Sequence, residues 1–465
     1  MGLLLLVCSC SSTKHLREGE HLLDKVTISV DSADINTSML SGYLRQEPNT
    51  KWFSLTKLPL GIYLMSNPNS NSSFNRFLRK LGQAPVVYDT LLTERSRQRI
   101  QDALFNLGYL HANVSVDESY KRHKVHVHYK AQLGQRYYVQ NVEVEVRDTA
   151  LRSQLKKVAS LSLLHPDMPF DANVLNQERS RITNYLTDNG YYAFNRDFIR
   201  YYVDTVAGSN QVQLKMLVSD YAQSPESPRL KHQQYRIGDV IYEYDRSTGS
   251  PIWFRNSVLL KNSSLKSGEV YKESDLTDTY SRMNRLAAVA AANIALVPKE
   301  NDSSLLDARI AITPSRLNSI QLGLDGTNTA GDLGAAVNFT YQNRNVFHGS
   351  EVFSLKLRSA FEAIRGLSGY ADQNYIEYSV DAGLQFPDFI FPFVPYEFRR
   401  KSKAVTEFNL MYASQNRPEF HRRVLTGAWK YRWNSGNGKS QHRFDLLDVN
   451  YVFMPWISDT FYNTY

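Results

Sequence analysis

The spacing of hydrophobic residues changes once along the chain. Up to about residue 315, segments with helical spacing alternate with short segments in which every second residue is hydrophobic. From Asn318 onwards only the alternating pattern remains, most clearly over residues 375–386, where one parity is apolar throughout and the other carries every charge. The pattern predicts helices mixed with strands in the first two thirds and antiparallel strands in the last third.

A set of positions in the first part recurs at one fixed spacing. Tyr88, Asp89, Arg97, Ile100, Leu104, Gly108 and Tyr109 are matched by Phe170, Asp171, Arg179, Ile182, Leu186, Gly190 and Tyr191. A fainter third copy includes Tyr271, Leu276 and Met283. In each copy the spacing predicts a helix, the two glycines fall where a left-handed residue ends a helix, and alternating segments follow. The repeated unit is therefore strand, one or two helices, strand, strand.

The repeats predict three α+β modules at residues 25–131, 132–222 and 223–315, the first with an insertion at 43–85. An array of ordinary α+β domains without a role in transport is the alternative. The remaining residues, 316–465, form the strand-rich part.

The strand-rich part predicts the beginning of a transmembrane β-barrel. Its alternating segments run about 9–12 residues, the length of a tilted membrane-spanning strand, whereas soluble strands average about 5–6. A soluble β-sandwich with one wet face is the alternative. Seven such segments can be counted, and an open sheet in hydrocarbon leaves backbone groups unpaired. We therefore expect an incomplete antiparallel barrel in a chain that is a fragment, clipped at both ends.

The first residues predict export. Leu3 to Val7 form a short apolar run, and Val7-Cys8-Ser9-Cys10 resembles a lipoprotein box. This resemblance implies a lipoprotein-type signal peptide at 1–9, a lipid anchor on Cys10 and a polar tether at 10–24. A plain signal peptide with incidental cysteines is the alternative. No Lys or Arg precedes the apolar run, so we expect the true start upstream of Met1.

Composition narrows the function classes. Lys and Arg total 54 against 46 Asp and Glu, and they are spread without the dense basic block of a nucleic-acid binder. Both cysteines lie in the first ten residues, which excludes a disulfide scaffold and cysteine zinc sites. The mean hydropathy of -0.42 and the lack of any apolar run of about 18 residues exclude a spanning helix.

No motif for catalysis, a metal or a cofactor is found. His126 and His128 share one strand face, but no carboxylate or cysteine follows at ligand spacing. The glycines at 323–334 lack the Lys-Ser/Thr of a phosphate loop, and the chain has neither a nucleophile elbow nor a zinc-protease helix. We therefore expect neither an enzyme nor a metal protein.

The modules resemble polypeptide-transport-associated (POTRA) domains, and the insertion at 43–85 is similar to that of the lipoprotein branch of the translocation-and-assembly-module barrels. Residues 341–351 resemble the turn between the second and third strands of bacterial surface antigen barrels, with Asn343, Arg344, Asn345 and Gly349 as its motif. The chain thus resembles the outer-membrane barrel assembly and bacterial surface antigen superfamily over nearly its whole length.

The resemblance implies two kinds of site. The second strand of each module, at residues 111–116, 195–202 and 293–297, is the expected docking edge for client chains, with Val114, Val116, Phe198, Tyr201, Ile294 and Leu296 as its residues. The first barrel strand, 318–325, which a turn at 325–328 is expected to end, should pair weakly with the last strand as a lateral gate, with Ile320, Leu322, Gly323 and Leu324 as its residues. A free strand edge suits unfolded clients because backbone pairing demands no particular sequence.

These expectations describe a lipid-anchored factor of the bacterial outer membrane, with periplasmic modules, that assembles or translocates proteins. Its expected partners are unfolded outer-membrane or secreted proteins, membrane lipid and accessory assembly subunits, with no nucleic acid. The alternatives are a secretion pore for one dedicated protein and a structural or binding lipoprotein with a passive barrel.

Overall fold

The computed structural model describes residues 15–52, 56–68, 70–222, 227–245, 254–329, 332–364, 374–391, 393–395, 398–399, 402–435, 439–459 and 462. The predicted signal peptide and Cys10 lie outside these residues. The chain divides into two compact units, the first comprising Met1–Thr183 and Phe194–His232 and the second Asn184–Ala193 and Gln233–Tyr465.

Module 1 is a three-stranded sheet covered by helices. Its elements are β1 (Leu22–Val30), α1 (Thr37–Ser41), α2 (Leu58–Leu64), α3 (Ser73–Leu81), α4 (Thr90–Asn106), β2 (Asn113–Lys121) and β3 (Lys124–Gln132). Helices α2 and α3 lie in the predicted insertion. Strand β1 begins at the fully buried Leu22, inside the predicted tether, because this side chain packs against Leu60 and Leu64 of α2.

Modules 2 and 3 repeat this plan. Module 2 contains β4 (Tyr138–Val146), α5 (Thr149–Lys157), α6 (Ala172–Thr187), β5 (Ile199–Thr205) and β6 (Gln211–Val218). Module 3 contains β7 (Arg236–Tyr244), α7 (Asn256–Asn262), α8 (Glu273–Met283), β8 (Val289–Lys299) and β9 (Asp302–Pro314). The strand orders are β1-β3-β2, β4-β6-β5 and β7-β9-β8, and in each sheet the first strand runs parallel to the central one.

The recurring residues perform the same local task in modules 1 and 2. Asp89 caps α4 by accepting hydrogen bonds from the N–H groups of Leu91 and Leu92, and Asp171 accepts one from the N–H of Asn173 at the start of α6. Gly108 and Gly190 follow these helices with φ values of 93° and 95°, the left-handed region that was predicted.

The helices pack on one face of each sheet, against the side chains of every second strand residue. Ile100 and Leu104 of α4 lie against Val125 and Val127 of β3, and all four side chains are at most 1% exposed. In module 3, Met283 of α8 lies in a core with Ile310 and Ile312 of β9. The central strand of each module is therefore the most deeply buried element.

The strand-rich part is one antiparallel sheet of seven strands in chain order. These are β10 (Asn318–Thr329), β11 (Asp332–Asn343), β12 (Val352–Ala363), β13 (Asn374–Phe386), β14 (Val405–Asn416), β15 (Phe420–Asn434) and β16 (Gln441–Ile457). Strands β10 and β16 are its two edges and the sheet is not closed. This architecture confirms the predicted fold class.

Two local expectations were wrong. Residues 325–328 were expected to be the turn that ends β10, but they continue the strand and pair with β11, with Gly326 opposite Ala335. Asn195 was expected to begin the second strand of module 2, but Arg196–Phe198 forms a 3-10 turn that Asn195 caps through the N–H of Asp197. At 325–328, pairing with the neighbouring strand overrides the turn tendency of the Asp-Gly pair, whereas at 196–198 the Asn195 cap stabilises a turn ahead of the strand.

The two faces of the seven-stranded sheet differ in polarity. Neighbouring residues across all seven strands form one apolar row: Leu322, Phe339, Leu357, Val380, Tyr412, Leu425 and Tyr451. Leu322 and Tyr451 are 68% and 62% exposed. The opposite face carries ion pairs, such as Lys430 with Asp448 at 2.9 Å. An exposed apolar face backed by a charged one is the arrangement of a barrel wall.

Among the described residues, no helix is both long and apolar enough to cross a membrane.

Candidate functional site

Each module leaves the same strand edge open. Strands β2, β5 and β8 lie last in their sheet orders and pair with the central strand on one side only. Each is the second strand of its module, the edge that was expected to bind client chains. Apart from the Val114 carbonyl and the backbone of Ala292, which side chains contact, the outward N–H and C=O groups of these strands are available for pairing with another extended chain.

The start of the opposite edge is covered in all three modules. The segment that precedes the long helix crosses the start of the first strand, through the isolated bridges Leu22 to Val87, Tyr138 to Pro169 and Arg236 to Val270. The accompanying N–H to C=O bonds are 2.9 Å long, from Leu23 to Val86, from Val139 to Met168 and from Ile237 to Glu269. In the described residues no such segment crosses β2, β5 or β8, so the second strand is the more open edge of each module.

The hydrogen bonds of the modules indicate which backbone groups face the open edge. In β2, the carbonyl of Val114 accepts a bond from the Arg97 guanidinium at 3.4 Å, so it points away from β3. In module 2, the N–H of Val206 donates to the carbonyl of Gln211, so the backbone groups of residue 206 face β6. Since these groups alternate in direction along a strand, Val116 in β2 and Tyr201 in β5 also face outward.

In β8 a side chain occupies the first outward position. The amide of Asn284 accepts from the N–H of Ala292 at 2.8 Å and donates to its C=O at 3.0 Å, as a neighbouring strand would. The same parity places the backbone of Ile294 and Leu296 on the open edge. Pro298, which has no N–H, occupies the next outward position, where an edge strand tolerates proline.

Five of the six expected docking residues thus present their backbone to the open edge. Their side chains stand on the core-facing side of each sheet, where Val114 is 2% exposed and Tyr201 packs beside the buried cluster of module 2. Phe198 is the exception, because it lies in the 3-10 turn before β5 and its carbonyl accepts from the N–H of Ser219. The geometry offers backbone pairing rather than a side-chain pocket.

Two arginines beside these edges were not singled out from the sequence as site residues. Arg97 reaches the carbonyl of Val114, and the Arg179 guanidinium lies 5.2 Å from the centre of the Tyr201 ring. Burial and the carboxylate of Glu178 raise the pKa of the Tyr201 hydroxyl above its ordinary value, so the ring is neutral at physiological pH. The repeat could have identified these two arginines from the sequence, because Arg97 and Arg179 occupy matching positions in modules 1 and 2.

The expected gate strand is the first edge of the large sheet. In β10, the side chains of Ile320, Leu322 and Leu324 belong to the apolar face and are 69%, 68% and 77% exposed. Gly323 faces the other way, and a Cβ atom there would lie 3.7 Å from the Cβ of Asn338, an ordinary contact. Packing therefore does not require glycine at this position.

The expected turn motif connects β11 and β12. The Asn345 side chain accepts from the N–H of Ser350 at 2.9 Å, and Arg344 donates to the carbonyl of Arg316 at 3.0 Å. A Cβ atom on Gly349 would collide with the side chain of Glu351, which explains the glycine.

This turn also binds module 3. The buried carboxylate of Glu351 accepts from the Gly349 N–H at 2.8 Å and pairs with Arg255, which precedes α7, at 2.7 Å. The Ser350 hydroxyl accepts from the N–H of Ala288 at 2.9 Å. The motif therefore anchors the sheet to the module that precedes it.

The histidines weighed as metal ligands have separate partners. His126 contacts the Asp24 carboxylate at 3.0 Å, whereas His128 contacts the Ser29 hydroxyl at 2.7 Å. In the part of the chain that the structure describes, no group of three or more potential ligands is found.

Comparison with known proteins finds a family model that matches part of the chain. Residues 65–132 match the family model described as "POTRA: Surface antigen variable number repeat". Among curated proteins, no sequence matches the chain.

Several solved structures are similar. BamA POTRA3-5 from Haemophilus influenzae is 14% identical, with 64% of this chain and 99% of that chain covered and a TM-score of 0.36. BamA from Haemophilus ducreyi lacking POTRA domains 1-3 is 12% identical (64% and 60% covered, TM-score 0.38). CdiB from Escherichia coli is 13% identical (78% and 58% covered, TM-score 0.31). The match thus covers about three fifths of the length of the Haemophilus ducreyi BamA chain and of the Escherichia coli CdiB chain.

Proposed function

We propose, from the match of residues 65–132 to the POTRA family model and from the repeated modules, that this chain assembles or translocates proteins at the bacterial outer membrane. Its modules bind extended segments of unfolded clients along β2, β5 and β8. The observation that carries this proposal is the recurrence, in all three modules, of an open second-strand edge opposite a first strand whose start is covered. Backbone pairing along such an edge accepts clients of unrelated sequence.

The seven-stranded sheet is the proposed membrane part. Strands of 12 to 17 residues are long enough for a tilted membrane strand. The row from Leu322 to Tyr451 faces lipid, and the face with the ion pairs of Lys430 and Arg358 faces a wet lumen. A Lys or Arg on the lipid side at mid-membrane costs roughly 2–4 kcal/mol, which accounts for its absence from this row.

The edge strand β10 is the proposed lateral gate, where client strands enter the membrane beside Ile320, Leu322 and Leu324. The modules lie in the periplasm, and Cys10 carries a lipid anchor in this proposal. Unfolded outer-membrane or secreted proteins are the clients, and accessory assembly subunits are further partners. The free energy of client folding drives insertion, so neither a catalytic residue nor a nucleotide is needed.

Depletion of the protein from its own cells tests this function. Quantitative proteomics of the outer membrane is compared before and after depletion, with re-expression of the wild-type chain as the control. We expect a general loss of barrel proteins that re-expression restores. Loss of one secreted protein with all barrels retained would assign the chain as a dedicated secretion pore. An unchanged outer membrane and secretome would leave only a structural or binding role and would refute the proposal.

A further inference from the structure

A cavity of about 330 Å³ lies where module 3 meets the base of the large sheet. Helices α7 and α8 form one side of it, and the β11–β12 turn together with the segment after β13 forms the other. Five basic side chains line it: Arg255, Lys261, Arg282, Arg285 and Arg399. Its only acidic lining residues in the described chain are Glu351 and Asp388.

The acidic groups do not neutralise this cluster. Glu351 pairs with Arg255 at 2.7 Å and Asp388 with Lys261 at 3.3 Å. Arg285 and Arg399 form no ion pair among the described residues. The cavity therefore carries an excess of positive charge that attracts an anion.

One hydrogen-bond donor of Arg282 has no acceptor at this site. Its side chain is 6% exposed and one of its terminal nitrogens pairs with Asp278 at 2.6 Å. Its Nε is buried without a hydrogen-bond partner, as is the Nε of Arg399. A buried charged donor without an acceptor is costly, so an acceptor oxygen inside the cavity would stabilise the site.

The rim of the cavity is apolar and continues the apolar face of the sheet. Phe386 ends the apolar parity of β13, and it stacks on Phe347 with 6.4 Å between ring centres. Ile390 on the same rim is 40% exposed. A ligand here would place its anionic group on the arginines and an apolar portion against the end of the sheet.

We propose that this cavity binds a phosphate group, and that the group belongs to a membrane phospholipid. Arginines suit phosphate because the planar guanidinium donates two parallel hydrogen bonds to it. The lipid source rests on the proposed membrane insertion of the sheet, whereas the phosphate site itself does not.

Binding is measured on the 465-residue chain in non-ionic detergent. Native mass spectrometry follows added phosphatidylglycerol and phosphate-free diacylglycerol, and calorimetry follows inorganic phosphate. The variants are Arg282→Gln and Arg285→Gln. Arg309→Gln is the matched control, because Arg309 is an exposed arginine of β9 outside the cavity.

We expect phosphatidylglycerol to bind and diacylglycerol not to bind. Both cavity variants should weaken lipid binding at least ten-fold, with Arg309→Gln unchanged. Inorganic phosphate binding as tightly as the lipid, with the same sensitivity to the variants, would support the phosphate site and assign free phosphate as its source. The proposal is overturned if neither phosphate compound binds, or if Arg285→Gln binds as the wild type does. Because Arg285 is exposed, its replacement should not disturb folding, and the Arg285→Gln measurement tests the proposal even if Arg282→Gln misfolds.

Discussion

Asp24 of β1 lies at the centre of a cluster of charged and polar side chains in module 1. Its carboxylate lies 2.8 Å from the Lys57 ammonium, 3.5 Å from that of Lys124 and 3.0 Å from His126. Burial raises the pKa of Asp24, but the hydrogen bonds from Lys57 and His126 outweigh it and lower the pKa to about 2. The carboxylate thus joins the insertion to the sheet through Lys57.

Replacement of Asp24 by Asn should lower the free energy of unfolding of module 1 by about 1–2 kcal/mol at pH 7. Hydrogen exchange of the module 1 amides measures this change. Asp117→Asn is the control, because the Asp117 pair with Lys130 is largely exposed and its loss should have no measurable effect. Equal effects of the two changes would contradict the assignment.

The contribution of Asp24 should depend on pH. Its pKa is lower in the folded chain, about 2, than its ordinary value of 3.8, so the folded state binds fewer protons. The stabilisation is therefore complete above about pH 4 and is lost as the pH falls towards 2. Urea midpoints of wild type and Asp24→Asn should converge over this interval, and a constant difference down to pH 2 would refute this account.

Gly108 has a left-handed backbone and no space for a side chain. A Cβ atom would lie 2.5 Å from the carbonyl oxygen of Phe170, where modules 1 and 2 meet. Gly108→Ala should therefore cost more than the roughly 1–2 kcal/mol of the left-handed conformation alone. Gly208→Ala is the matched control, with a φ of 75° and no atom within 4 Å. Thermal unfolding compares them, and an equal loss would show that the contact with Phe170 is unimportant.

At the scale of elements, the polarity of the large sheet makes a direct prediction. Val380 of β13 lies in the apolar row, whereas the adjacent Ser379 faces the charged side. In a membrane, Val380→Lys should destabilise the sheet by roughly 2–4 kcal/mol and Ser379→Lys by far less. Urea unfolding in lipid vesicles measures both. Similar losses for the two variants would mean that the apolar row does not face lipid.

The elements were predictable to different degrees. The spacing of hydrophobic residues alone predicts the left-handed glycines after α4 and α6 and the strands of the large sheet. These features depend on local sequence, and the folded structure keeps them. The continuation of β10 through Gly326 was missed, because an Asp-Gly pair favours a turn unless a neighbouring strand extends the pairing. Asn284 was missed for a similar reason, since its role as a substitute strand exists only when α8 ends beside β8.

At the scale of the whole molecule, the open edges were expected from a resemblance, and their geometry follows from the hydrogen bonds. The arginine cavity could not be predicted, because its lining residues come from α7, α8, the β11–β12 turn and the segment after β13, which are far apart in sequence. Only the packing of module 3 on the turn motif brings them together.

The central claim is that clients bind the second-strand edge of each module. Site-specific photocrosslinking in living cells tests it most directly, with a photoreactive residue at Tyr202 of β5 or Val297 of β8. Both side chains are exposed, at 49% and 40%. The matched controls are Tyr138 of β4 and Arg236 of β7, which are exposed positions on the covered start of the first strand of the same modules. We predict crosslinks to newly exported barrel proteins from Tyr202 and Val297 and few from the controls. Equal crosslinking from both edges, or none from either, would contradict the account.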